Sequence, residues 1–188
     1  MNRVIIGLGP GRCGSASFAA LLGAQNGVVA SHSCPVYPHG EEGCSGIREP
    51  WARVEDLLDD PRAPKALAVV DSGPYWLHIL VDGEDKPGRI CVLWRPVSHI
   101  VTSMIRTDYW AKLSRLDGFA AIHTSALDYV RGYYDKACRL ACQWPEIVRF
   151  VDAEKLSSYT YTDDLLAWLE IPHTSQDTHH LNRTETHG

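Results

Sequence analysis

A chain of 188 residues, 45% of them hydrophobic, is long enough for one domain around a single core. Charged residues make up 22% and the net charge is −5, so no basic field draws in a nucleic acid, and a polyanion has to be held by a local site. No run approaches the ~20 apolar residues of a membrane span, and the apolar start, Val4–Leu8, is too short for a signal peptide. The expected setting is therefore the cytoplasm, with no membrane partner. The six cysteines, Cys13, Cys34, Cys44, Cys91, Cys138 and Cys142, form no Cys-x-x-Cys pair and are expected as reduced thiols.

In chain order, residues 3–8 (RVIIGL) are a short β-branched run that predicts a buried strand. A glycine-rich turn follows, and then a helix over 15–24 with Phe18, Leu21 and Leu22 at helical spacing. Residues 28–31 predict a second strand, 33–46 a Pro/Gly/Ser-rich loop and 48–58 a helix stopped near Pro61. ALAVV at 66–70 is a third strand and 75–81 a short helix. RICVLW at 89–94 is a fourth strand, with Pro96 in the first turn of the helix after it. A long helical stretch over 117–143, interrupted near Gly132, a strand over 147–151 and a helix over 163–169 complete the pattern. Strands alternating with helices predict an α/β fold of three layers, a central mostly parallel sheet with helices on both faces. Residues 1–172 read as a single domain and 173–188 as a polar tail.

The turn Gly9-Pro10-Gly11-Arg12-Cys13-Gly14-Ser15 joins a strand to a helix. Glycines let backbone N–H groups close on an anion, and the helix N-terminus adds partial positive charge. Arg12 adds a full charge, while Ser15 and Ser17 offer hydroxyls. Gly9 to Gly14 has the frame of a Walker loop, but Ser15-Ala16 stands where Lys-Ser/Thr would hold phosphates and magnesium. A dinucleotide fold is disfavoured because the second strand runs into Ser31-His32-Ser33 with no clear ribose-binding acid. Arg95 ends the fourth strand and Ser103 follows eight positions later. Ligands of open α/β sheets bind at the carboxyl ends of the strands, so Arg95 reaches the same crevice as the loop.

These two elements resemble the sulfotransferase family, which has a P-loop type fold and moves a sulfuryl group from PAPS (3′-phosphoadenosine 5′-phosphosulfate) to an acceptor, leaving PAP. In that family a loop reading roughly GxxR/K-S/C-G-S/T holds the 5′-phosphosulfate, and GPGRCGS looks like it. An arginine ending a strand with a serine eight positions on holds the 3′-phosphate, and RPVSHIVTS matches that spacing. A weaker likeness joins FVDAEKL (150–156) and LLAWLEIP (165–172) to the family's late strand, acidic turn and "fLGip" helix end. The resemblance implies PAPS as donor, held by Gly11, Arg12, Cys13, Gly14, Ser15, Ala16, Ser17, Arg95 and Ser103, and no metal. Ala16 departs from the hydroxyl residue that often follows the loop, and no RKGxxG tail motif is present. His180–Arg183 is the candidate for a late nucleotide contact.

Sulfuryl transfer needs charge stabilised on the bridging oxygen, a task for Arg12, and a base for the acceptor proton. His32, after the second strand, is the first choice, with Glu41, Glu42 and Asp71 as rivals. His32, Cys34, His39 and Cys44 are zinc-capable, though without a close ligand pair. Tyr75, Trp76, Tyr109 and Trp110 are candidates to line a pocket for a small-molecule or glycan acceptor. A P-loop kinase and a non-catalytic nucleotide-binding protein are the alternatives.

Overall fold

Runs of valine, isoleucine and leucine bury best where both faces of a strand are covered, and the chain uses them that way. The computed structural model describes residues 3–32, 68–74, 76–82, 87–115 and 119–174. Strands β1 (Arg3–Leu8), β2 (Val28–His32), β3 (Ala68–Gly73), β4 (Arg89–Trp94) and β5 (Val148–Asp152) form one sheet in the order β2-β3-β1-β4-β5. Every pairing is parallel, with Ile5 opposite Val70 and Arg89, and Val92 opposite Phe150. Ile5, Ile6 and Leu8 of the central strand are fully buried. Each contributes roughly 1.5–3 kcal/mol relative to an exposed side chain.

The helices are α1 (Ser15–Gly23), α2 (Trp76–Asp82), α3 (Val97–Arg106), α4 (Tyr109–Leu113), α5 (Phe119–Ile122), α6 (Ala126–Gln143) and α7 (Tyr159–Leu169). Parallel neighbours need crossovers, and the right-handed rule puts α1 on one face of the sheet and α2 with the α3–α6 group on the other. The packing agrees: α1 lies on β1, β2 and β3, while α6 packs on α2 and α3. The end of α7 returns to the α1 face, where Thr174 N donates to Gln25 Oε1 (2.9 Å) and Asn26 N donates to Thr174 Oγ1 (3.0 Å). The fold is α/β, a parallel sheet with helices on both faces, as the alternation of elements predicts. Among the described residues no helix is long and apolar enough to cross a membrane.

Several boundaries differ from the sequence reading. The helical stretch over 117–143 breaks at His123–Ser125, not at Gly132, because Ser125 caps α6: its side chain accepts from Asp128 N at 3.1 Å, and Thr124 N donates to the Asp128 carboxylate. Pro96 stands just outside α3, as its N-cap with extended ψ of 128°. Strand β3 reaches Gly73 instead of ending at Val70, and α7 begins at Tyr159 instead of Asp163. The Glu170 backbone (φ 58°) closes α7 in the left-handed region, where the family's "fLGip" pattern has glycine. The expected helix over 48–58 lies outside the described residues.

Candidate functional site

In a sheet ordered 2-3-1-4-5, connections leave β1 and β4 in opposite directions, which opens a crevice at their carboxyl ends. The loop Gly9–Gly14 leaves β1 there, and Arg95 leaves β4. Gly11 (φ 86°), Arg12 (φ 57°) and Gly14 (φ 99°) are all left-handed. Glycine takes that conformation freely. Arg12 costs of order 1–3 kcal/mol to hold there, strain of the kind that accumulates at ligand clamps. Turns of this kind can gather successive N–H groups on one side, as in anion-binding nests. Among the described residues no side chain caps α1, so its first amides are open to an anion at the same place.

The surroundings press on the loop from three directions. A Cβ on Gly11 would run into the Tyr109 ring and hydroxyl, and one on Gly14 would lie 2.9 Å from Ala153 Cβ. A Cβ on Gly9 would run into Cys13 Sγ. Cys13 is fully buried, and burial pushes its thiol up to about 11. It is a packing residue of the loop, with Gly11 and Ser15 backbone groups around its sulfur. Ser15 is buried, Ser17 half-buried and Ala16 exposed.

The two arginines are held differently. Arg12 Nε donates to Ser103 Oγ at 3.2 Å, tying the loop to the middle of α3. Arg95 Nε donates to Glu154 Oε1 at 2.9 Å, and the same oxygen lies 2.8 Å from His99 Nδ1. Hydrogen bonds from His99 and then Arg95 hold the Glu154 carboxyl below its usual range. The sequence spacing had paired Ser103 with Arg95; in the structure Ser103 joins Arg12, and Arg95 turns to the short 3₁₀ turn Ala153–Lys155 after β5. Glu154 was legible only as part of the acidic turn in FVDAEKL. Nothing in the spacing of residues predicts its contact with Arg95, which is 59 positions away.

His32 is exposed at the end of β2, with Nδ1 3.2 Å from Ser72 Oγ, which donates to Ser15 O at 3.1 Å. Its ring is thus linked through one hydroxyl to the first turn of α1. Asp71 sits in β3 opposite Ile6 and Ser31. Glu41, Glu42, Cys34, His39, Cys44, Tyr75 and His180–Arg183 lie outside the described residues, so only His32 of the zinc-capable set is described. Trp76 and Tyr109 are buried, fully and to 3% exposure, and the Tyr109 ring lies against Gly11 of the loop. Trp110 is half-buried and packs edge-on to Phe119 at 5.8 Å.

Two tyrosines of α6 back the crevice. Tyr134 donates to Leu93 O at 3.0 Å, and burial raises its pKa. Tyr133 is 3% exposed, and its hydroxyl has no hydrogen-bond partner among the described residues. Burial pushes its pKa well up, and the Gly9 amide facing it opposes that without completing a bond.

The fold is similar to that of the sulfotransferase domain from the curacin biosynthetic pathway, with a TM-score of 0.64 and 16% identity over 93% of this chain and 76% of that one. It is also similar to a sulfotransferase from Alicyclobacillus acidocaldarius, with a TM-score of 0.57 and 19% identity over 94% of this chain and 86% of that one. At these identities the likeness is one of fold. No family model and no curated protein matches the chain.

Proposed function

We propose that the protein is a sulfotransferase that takes a sulfuryl group from PAPS and passes it to a hydroxyl or amine. The observation that carries this reading is the pairing at one crevice of a lysine-free anion loop, armed with Arg12, and a second arginine, Arg95, at the end of the adjacent strand β4. A nucleotide with anions at both its 5′ and 3′ positions fits two separated cations. A nucleoside triphosphate wants the loop lysine and magnesium hydroxyl, and the first lysine of this chain is Lys65.

In this reading the loop amides, Ser15, Ser17 and the N-terminus of α1 hold the 5′-phosphosulfate, and Arg95 meets the 3′-phosphate through guanidinium nitrogens that Glu154 leaves free. The acceptor oxygen attacks sulfur in line. The new O–S bond forms as the bond from sulfur to the bridging phosphate oxygen breaks, and PAP leaves with that electron pair. Arg12 offsets the charge growing on the bridging oxygen. The acceptor proton passes to a base, for which His32, linked through Ser72 to Ser15, is the candidate.

Calorimetric titration with PAP and with ATP, each with and without EDTA, tests the reading. PAP should bind more tightly than ATP and be indifferent to chelation. A preference for ATP, or PAP binding that collapses with EDTA, would favour the kinase reading instead.

A further inference from the structure

A single carboxylate oxygen gathers two side chains at the carboxyl end of β4. Glu154 Oε1 lies 2.9 Å from Arg95 Nε and 2.8 Å from His99 Nδ1. The His99 bond and then the Arg95 bond hold the Glu154 carboxyl below its usual range, so it is ionised at neutral pH. An ionised carboxylate only accepts, and His99 Nδ1 therefore carries the hydrogen of its contact. His99 Nε2 and Arg95 Nη1 and Nη2 bond to nothing among the described residues. The His99 side chain is 53% exposed and that of Arg95 34%, so both reach solvent.

We propose that His99 is a second donor to the phosphate that Arg95 recognises, and that the pair makes this end of the crevice selective for a phosphomonoester over a free hydroxyl. The inference rests on the reading of Arg95 as the 3′-phosphate contact. Glu154 keeps Arg95 Nε and His99 Nδ1, and so orients both side chains. The phosphate meets the nitrogens that Glu154 leaves, and its three terminal oxygens give it reach for both partners. A neutral His99 with its hydrogen on Nδ1 would turn the Nε2 lone pair toward the phosphate. Only the imidazolium donates from both nitrogens, so the phosphate is held by a protonated His99.

The charges around the cluster argue the same way. His99 stands in the first turn of α3, where Pro96 is the N-cap and no side chain caps the helix among the described residues. The positive end of a helix is a poor place for a cation unless an anion meets it. Glu154 supplies one negative charge beside Arg95 and His99, and a phosphate supplies the rest. The other charged groups at this turn, Asp152 and Lys155, offset each other: Lys155 Nζ lies 3.2 Å from Asp152 Oδ2, while Asp152 Oδ1 accepts from Glu154 N at 3.1 Å. An exposed ion pair such as His99–Glu154 adds little to stability by itself, which leaves recognition as the use of the histidine.

The test measures PAP and adenosine 5′-phosphate, which lacks the 3′-phosphate, by calorimetry on the full chain. His99→Ala should weaken PAP about three- to tenfold, a modest loss because the contact is exposed and screened, and leave adenosine 5′-phosphate within about twofold. His99→Gln still donates to Glu154 but carries no charge, and should stay closer to the alanine variant than to wild type. By NMR, the ring resonances that vanish in His99→Gln should move toward the imidazolium position when PAP is added, and stay in place with adenosine 5′-phosphate. An unchanged PAP preference in His99→Ala, full recovery in His99→Gln, or ring resonances indifferent to PAP would overturn the proposal while Arg95 kept its role. Wild type binding the two nucleotides alike would overturn the proposal and the 3′-phosphate reading together.

Discussion

Arg12 Nε and Ser103 Oγ are 3.2 Å apart although 91 positions separate them in the chain. The bond fastens a strained loop residue to a rigid helix, so Ser103 acts on the site through Arg12. Ser103→Ala should weaken PAP about tenfold, the scale of a hydrogen bond to a charged group. In an Arg12→Ala background the same substitution should do little, and the shortfall from additivity measures the coupling. Full additivity in calorimetry would mean that Ser103 meets the ligand independently.

The loop glycines should divide by cause. Gly9→Ala overpacks against Cys13 Sγ and should cost about 1–3 kcal/mol in urea unfolding. Most of that should return in the Gly9→Ala/Cys13→Ala double variant. Gly11→Ala should not be rescued by Tyr109→Ala, because its φ of 86° remains unfavourable for alanine whatever the space.

Glu154 both orients Arg95 and partly neutralises it. Glu154→Gln keeps an acceptor for Arg95 Nε and removes the charge. PAP should then bind about two- to fivefold more tightly at low salt, with the gain shrinking as salt rises. Weaker PAP binding in Glu154→Gln would show that the carboxylate itself is needed.

Cys13 gives the pH dependence a sign. Its folded pKa, about 11, is raised above the ordinary 9.0, so the folded state holds the proton more tightly than the unfolded state. The contribution is complete below pH 9 and is lost as pH rises from there through 11, by up to roughly 3 kcal/mol. The buried Cys91 thiol is shifted the same way. Urea midpoints measured from pH 8 to 11 should fall, and less steeply in Cys13→Ala. A wild-type midpoint constant to pH 11 would contradict this.

Much of the architecture was legible in the sequence because strands such as RVIIGL and RICVLW are too apolar to lie anywhere but inside a covered sheet. The turn from β1 into α1 was legible because three glycines stand between an apolar strand and a helical run, and two of them, Gly11 and Gly14, take positive φ. What escaped was everything set by distant contacts. The break before α6 came from a serine cap, where the sequence had drawn attention to Gly132. The partner of Ser103 proved to be Arg12, because the turn at Pro96 sends α3 past the loop while Arg95 leans to β5. Gly132 looked like a helix interruption, yet the helix runs through it unbroken from Ala126 to Gln143.

Arg95 is the residue whose ligand decides between sulfuryl transfer and its alternatives. The measurement is calorimetric binding of PAP and of adenosine 5′-phosphate, which lacks the 3′-phosphate, to wild type and to Arg95→Ala. Wild type should prefer PAP by about ten- to a hundredfold, the scale of a charge-assisted hydrogen bond of roughly 1.5–3 kcal/mol. Arg95→Ala should abolish most of that preference while hardly changing the weaker nucleotide. If wild type bound the two alike, or if Arg95→Ala weakened both equally, Arg95 would not read a 3′-phosphate and the sulfuryl-transfer reading would lose its main support.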